Sequence, residues 1–421
     1  MNWQTGPVTP VTRRTTRDLR WHNRSALLSR LYLQGSGNRN ELTRSSGLSP
    51  ATISNVVSDL IAEGLVTEAG SESSDGGRPR TVLRVRPEYG QVVGVDIGET
   101  QIRIGLFDWS LTMLATVVHP ITETSLDPEL VARLVVQGVA QVTSETGVDP
   151  RDLIGVGVGV PGAVLPDPRV PGRTLVHAPT LGWSAVPLAD MLRLGVPAPL
   201  FIDNCARTLG QAEMWRGVGR GAEHAVIALL GVGVGAALAP GAEGGSEMSA
   251  PTTIEWGHTV IQVGGLPCRC GSHGCLEAYV GAEEALRRYG STVGSRPFSG
   301  TGTEPRLNEL AARADSDPAA LETLTRVGEY LGIGIANLVN LLNPDLVVLS
   351  GWAGLVVGPV ILPTVRKAAE RHTLSYLSGR ARIVVGRLGQ EAVAMGAATL
   401  PVSRLLAAGG GSVTQPASAA S

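Results

Sequence analysis

Lysine is almost missing from this chain. Lys367 is the only one among 35 basic residues, so part of the arginine content reflects coding bias and not function. Cysteine is scarce too, at four residues, and three of them crowd into one short stretch. Three clustered cysteines cannot pair evenly, which argues against a disulfide framework. There is no apolar run long enough for a membrane span: the longest, Ala225–Ala239, is interrupted by Gly231, Gly233 and Gly235 and reads as a buried strand entering a turn. A signal peptide is not expected either, because the arginines between Arg13 and Arg30 break up any hydrophobic region. Cytoplasmic localisation follows as an expectation. What is present, 421 residues at 43% apolar and 17% charged with net charge −2, describes a globular protein of two or three domains.

The near-neutral total hides an asymmetry. Residues 1–90 carry 12 arginines against 8 acidic residues, and the remainder 23 basic against 29 acidic. A basic head on an acidic body points to nucleic-acid contact through the head, although a few surplus arginines also merely solvate a surface.

Residues 1–15, rich in Thr, Pro and Arg, lack apolar periodicity and are expected to be disordered. A first helix is expected from about Asn23, as cap, to Gly35. A short second helix carries Glu41, Leu42 and Arg44 and turns at Ser46-Gly47. The third starts at Ser49 as N-cap with Pro50 in the first position and Gly64 beyond the end. Ile53, Val56, Val57, Leu60 and Ile61 form its core-facing stripe, leaving Thr52, Asn55 and Ser58 outward. Two β runs follow, Leu65–Glu68 and Thr81–Arg86, joined by GSESSDGGRPR. Together they read as a winged helix-turn-helix over residues 16–88, with a three-helix protein-contact bundle as the alternative. In the first reading Ser49, Thr52 and Asn55 face the major groove, where an Asn amide pairs bidentately with adenine. Arg44 grips phosphate, and Arg78 and Arg80 on the wing reach an A·T-rich minor groove.

The stretch Glu255–Glu277, EWGHTVIQVGGLPCRCGSHGCLE, organises the body. His258, Cys268, Cys270 and Cys275 make a complete Cys₃His set for tetrahedral zinc with no open position, hence a structural site. Gly271 and Gly274 let the backbone fold tightly enough for the sulfurs to converge. Reduced cysteines beside an ordinary surface histidine are the alternative, which thiols this crowded fit poorly.

This motif closely resembles that of the ROK family, which groups sugar-responsive repressors and sugar kinases. The resemblance extends from about Asn23 to about Leu405. It implies an α/β body over residues 89–405 with the two-lobed, internally duplicated actin-like ATPase fold. The small lobe would hold about 89–200 plus a C-terminal helix at about 390–405, and the large lobe about 201–389, with the zinc loop at 258–275. It further implies that His258 binds zinc through one ring nitrogen and a sugar hydroxyl through the other, with Asn204, Glu255 and Glu277 as further sugar contacts. The strand-then-glycine segments QVVGVDIGET (91–100) and AVIALLGVGVGA (225–236) match the family's two phosphate-binding turns, and NLLNPDLVVLSGWAG (340–354) its adenosine-side segment. The loops at 159–162 and 179–183 lie where the family lines its sugar pocket, with Thr180 in place of a usual Asn. A glycine-rich surface loop is expected between Gly290 and Arg306, and a disordered tail over 406–421.

Three departures bear on catalysis. ROK kinases read DIGGTK where this chain has Asp96-Ile97-Gly98-Glu99-Thr100-Gln101, placing a bulky anion where phosphates approach. Val232 replaces a phosphate-binding Thr. Aligned on Glu213 and Gly217, the chain supplies Asn204-Cys205 where the kinases have Asn-Asp, so a thiol replaces the general base; a rival register puts Asp203 there. The expectation is a sugar-responsive DNA-binding regulator, most readily a repressor, with no catalytic residues. It would carry zinc, bind operator DNA and a sugar or sugar phosphate, and form a homodimer or homotetramer. A bifunctional sugar kinase with a DNA-binding head is the alternative, and a regulator answering to a partner protein a third.

Overall fold

The computed structural model describes residues 16–74, 77–121, 126–240 and 252–411, which fall into two compact units. The sequence-expected disorder over residues 1–15 and the wing-tip Gly76 lie outside the described residues, as do positions 412–421 of the expected tail.

In the first unit, α1 (Thr16–Gln34) starts seven residues before the expected cap at Asn23. No Pro or Gly separates Thr16 from Asn23, so nothing stops the helix from propagating backwards. Leu27, Leu28, Leu31 and Tyr32 form its buried face. In α2 (Arg39–Ser46), Asn38 caps reciprocally: its side chain accepts from the Glu41 N–H at 3.0 Å while the Glu41 carboxylate accepts from the Asn38 N–H at 3.1 Å. Gly47, at φ 68°, ends the helix as the turn residue of the helix-turn-helix. Ser49 caps α3 (Pro50–Ala62), where Ile53, Val57 and Leu60 are buried and Val56 and Ile61 half-buried, as the periodicity predicts. Strands β1 (Val66–Ser74) and β2 (Gly77–Val85) pair antiparallel as the wing, longer than the expected runs. Leu83 also exchanges two backbone hydrogen bonds with Gly37 before α2.

This unit has a component the sequence did not announce. Residues 404–411, at the end of the last described helix, group with it. Leu405 and Leu406 are buried, the Ser25 hydroxyl donates to the Leu406 carbonyl at 2.9 Å, and Arg24 donates to the Gly409 carbonyl while also pairing with Glu63. The expected tail boundary at 406 is thus corrected: two consecutive leucines give this segment an apolar face to bury.

The second unit is built from two five-stranded sheets of one pattern. The first holds β3 (Gln91–Ile97), β4 (Gln101–Asp108) and β5 (Met113–Pro120) as an antiparallel meander. After α4 (Pro128–Thr146), β6 (Gly155–Val160) joins parallel to β3. A small sheet, β7 (Ala163–Pro166), β8 (Thr174–Ala178) and β9 (Trp183–Val186), precedes α5 (Leu188–Arg193) and β10 (Leu200–Asn204), which pairs parallel to β6. The order is β5-β4-β3-β6-β10.

After α6 (Cys205–Arg216), β11 (His224–Leu230), β12 (Val234–Pro240) and β13 (Thr252–Ile254) repeat the meander. Helices α7 (Glu277–Val280), α8 (Ala282–Ser291), α9 (Thr303–Ala312) and α10 (Pro318–Leu342) lead to β14 (Leu346–Ser350), α11 (Gly351–His372) and β15 (Arg382–Val385). The second sheet runs β13-β12-β11-β14-β15, the same order as the first, so the body is internally duplicated as the actin-like fold requires. One boundary moves: residues 201–204, assigned above to the large lobe, pair with β6 and belong to the first sheet. The expected glycine-rich loop narrows to 292–302, its ends being absorbed by α8 and α9.

Helix α12 (Ala392–Ala407) lies on the first sheet at backbone contact distance. A Cβ on Gly94 of β3 would sit 1.9 Å from the Ala394 carbonyl oxygen, and one on Gly157 of β6 would sit 1.8 Å from that of Ala397. Glycine here is required by proximity, since any side chain would push the helix off the sheet. Aliphatic residues on both sheets and on α4, α10 and α11 fill two large cores, and a smaller one lies between α6, the second sheet and the start of α12.

Candidate metal centre and ligand cleft

The metal loop begins where β13 ends. A single turn of helix at Trp256–His258 presents the histidine, and the Trp256 indole N–H donates to the Gly334 carbonyl of α10 at 3.1 Å, fixing that turn to the core. The chain then doubles back through bridges pairing Val260 with Cys275 and Pro267 with His273. The Tyr279 hydroxyl of α7 accepts from the Leu266 N–H at 2.8 Å and holds the far end. Gly274, at φ 78°, lies so close to Gln262 that a Cβ would meet its carbonyl oxygen at 1.8 Å.

This folding brings the His258 ring nitrogens and the three cysteine sulfurs together, one ligand atom from each within 4.8 Å of the others. Cys268 Sγ lies 3.7 Å from His258 Nδ1, and Cys270 Sγ 3.8 Å from Cys275 Sγ. A tetrahedron with metal–sulfur bonds of about 2.3 Å has edges of about 3.8 Å, which these two separations match, so the donor set is compatible with one tetrahedral cation. Burial pushes the Cys268 thiol up to about 12, whereas the Ser272 backbone N–H holds the Cys270 thiol below its usual range, so a bound cation would do most to stabilise the Cys268 thiolate. With Nδ1 turned to the sulfurs, Nε2 of His258 remains on the other side of the ring.

The expected sugar contacts are placed less uniformly. Asn204 ends β10 and caps α6: its side-chain oxygen accepts from the N–H groups of Ala206 (2.7 Å) and Arg207 (3.2 Å), while its amide donates to the Gly162 carbonyl at 2.6 Å. Asn204 therefore pins the 159–162 loop through its side-chain amide. Glu255 is exposed at the start of the histidine turn. Glu277 is buried, and its carboxylate accepts from the Val234 N–H at 2.9 Å. Thr180 carries a buried hydroxyl with no hydrogen-bond partner among the described residues, in the segment expected to line the pocket.

Sequence reasoning missed Arg269, which lies between two of the metal ligands. Its guanidinium forks onto Glu99 (Nη2 to Oε1, 3.0 Å) and onto Glu277 (Nε to Oε1, 2.8 Å; Nη2 to Oε2, 3.3 Å). A basic residue inside a motif read for metal was the available signal. Asp96, at the end of β3 opposite Arg103, was also passed over; burial pushes its carboxyl up to about 7, which Arg103 partly opposes. The Cys205 thiol is held strongly upward by burial and by Asp96, so it stays protonated. The rival base Asp203 accepts from the Asn204 N–H (2.7 Å) and from Arg207 (2.9 Å). Val232 stands in the β11–β12 turn as expected. A groove lined by Tyr289, Arg296, Phe298 and Arg306 contains none of these residues.

In the first unit, Arg44, Ser49 and Asn55 are exposed and Thr52 is half-buried. The hydroxyls of Ser49 and Thr52 lie 2.9 Å apart, so both are partly engaged in the cap. Arg80 is exposed on β2; the side chain of Arg78 lies outside those described.

Comparison with known proteins places this architecture. The chain is 28% identical over 403 residues to a putative xylose repressor of Caldicellulosiruptor sp. (strain Rt8B.4), covering 91% of this chain and 96% of that one. Among solved structures, a ROK family transcriptional regulator described as a homolog of the E. coli MLC protein shares the fold at TM-score 0.73 and 21% identity, over 93% of this chain and 98% of its own. A ROK family glucokinase from Streptomyces griseus, solved with glucose and AMPPNP, matches at TM-score 0.63 and 27% identity, over 74% of this chain and 99% of its own. The ROK family matches residues 92–403, nearly the entire second unit, and on that match the chain belongs to the ROK family.

Proposed function

We propose that this protein is a sugar-responsive DNA-binding transcriptional regulator, a repressor released from its operator by a sugar or sugar phosphate. The observation that carries the reading is the union, in one chain, of a winged helix-turn-helix with a duplicated ROK body, over a length shared with a putative xylose repressor. In this reading α3 enters the major groove through Thr52 and Asn55, Arg44 sets the register on phosphate, and Arg78 and Arg80 approach the minor groove. A helix-turn-helix reads paired half-sites at fixed spacing, so the working form is a homodimer or a dimer of dimers acting in the cytoplasm.

The metal is zinc and structural, because three thiolates and an imidazole fill its coordination. It fixes the His258 ring so that Nε2 meets a sugar hydroxyl, with Asn204, Glu255 and Glu277 completing the polar set and Thr180 as a further contact. Kinase activity is lost: Glu99 lies where phosphate would approach, Val232 brings no hydroxyl, and Cys205 is no base. Operator binding by fluorescence anisotropy, titrated with a panel of sugars and sugar phosphates, tests the reading; release by none of them would sink it.

A second reading has its own support in the likeness to the Streptomyces griseus glucokinase. Under it the chain phosphorylates a hexose as well as binding DNA. ATP-dependent turnover of any hexose by the purified protein would establish that reading and refute the loss of catalysis.

A further inference from the structure

The Glu99–Arg269–Glu277 arrangement is more than a surface ion pair. Glu99 comes from the β3–β4 turn of the first sheet, Glu277 opens α7, and Arg269 reaches both from the metal loop. Both oxygens of Glu99 are engaged by the two terminal nitrogens of the guanidinium, the bidentate fork by which arginine grips a carboxylate or a phosphate. The pair lies over the glycine turn of the second sheet: a Cβ on Gly233 would be 2.4 Å from Arg269 Nη2 and 3.4 Å from Glu99 Oε1. A glycine turn below and a fork of N–H donors beside it are the elements of an anion site. Here the anion is part of the chain.

We propose that the Arg269 guanidinium over the Gly231–Gly233 turn forms an anion site that Glu99 fills from within. The inference rests on Glu277 being a ligand contact, as proposed above, and it narrows the ligand class. A phosphate-bearing ligand must expel Glu99 and meet the negative charge of Glu277, whereas an uncharged polyhydroxylated ligand need only share Glu277 with Arg269. Glu99 and Arg269 are thus specificity-determining residues that select a neutral sugar over its phosphate and over a nucleotide. Arg269 is placed for this by its two flanking metal ligands, Cys268 and Cys270, so the selection depends on the metal loop's shape.

The test is isothermal titration calorimetry with inorganic pyrophosphate on the full-length, zinc-loaded protein, its zinc content measured before and after. Glu99→Gly should bind pyrophosphate at least tenfold more tightly than wild type, and Glu99→Gly combined with Arg269→Ala should lose that gain. Glu99→Gln, which keeps the volume and removes the charge, should gain part of it and guards against misfolding of the glycine variant. Wild type binding pyrophosphate as tightly as Glu99→Gly would overturn the proposal. So would folded, zinc-loaded Glu99 variants that gain nothing, or a double variant that keeps the gain. The readout is anion binding and not operator release, so failure of the repressor reading would leave a different signature.

Discussion

Cys268 shows how much one side chain carries in this protein. Its sulfur stands 3.7 Å from His258 Nδ1 and 3.9 Å from Glu277 Oε1, so it belongs to the metal set while touching the expected sugar contact. Cys268→Ser should lower bound zinc from one per chain to none by atomic absorption, and abolish sugar-dependent operator release; a metal-free variant still released by sugar would refute the coupling. Asp96 offers a pH test. Burial raises its carboxyl from 3.8 to about 7, so the folded state keeps a proton that the unfolded chain gives up near pH 4. Stability therefore falls as pH climbs through that window and stays reduced above it. Asp96→Asn should raise the urea midpoint at pH 8 and leave it nearly unchanged near pH 4, provided Arg103 keeps its pairing with Glu391; an equal shift at both would refute this origin. The metal set was legible because four side chains of two metal-ligating types at tight spacing admit few other uses. Arg269 was not, because nothing in a linear motif says that Glu99, from the turn of the other sheet, supplies one of its two partners.

At the scale of elements, α3 and the wing were readable from local rules. Ser49, Pro50 and the turn at Gly47 act within a few residues of themselves, so their effects survive without knowledge of the rest. Asn55→Ala should weaken operator binding by about 1–3 kcal/mol and relax discrimination at one base pair, measured by anisotropy on sites varied singly. Arg78→Ala should weaken binding most where A·T tracts flank the site; affinity unchanged on such sites would sink the minor-groove assignment. The α12 contact was not readable. Gly94 looks like any small residue in an apolar strand until the Ala394 carbonyl is found against it. Gly94→Ala should destabilise the body by about 1–3 kcal/mol, as overpacking commonly does, seen as a lowered denaturation midpoint.

For the whole molecule, the decisive question is which ligand stabilises it. A ligand at about 100 times its Kd adds about 2.7 kcal/mol of stability, so thermal shift of the zinc-loaded protein against sugars, sugar phosphates and Mg-ATP separates the readings. One neutral sugar active and ATP silent is the expected outcome; a shift with Mg-ATP would revive the kinase, and silence throughout would turn the search to protein partners. By itself the sequence determined the winged head and the metal-ligand set, because capping and ligand chemistry are local signals, and it announced the duplicated body through the resemblance of its strand-then-glycine runs to the ROK family. Only the tertiary structure decided that residues 404–411 complete the head and that Asn204 is committed to a cap and a loop. It alone placed Glu99 and Arg269 together over the Gly233 turn. Each of these depends on groups brought together from distant parts of the chain, and such proximity is set by how helices and sheets pack, which no local pattern encodes.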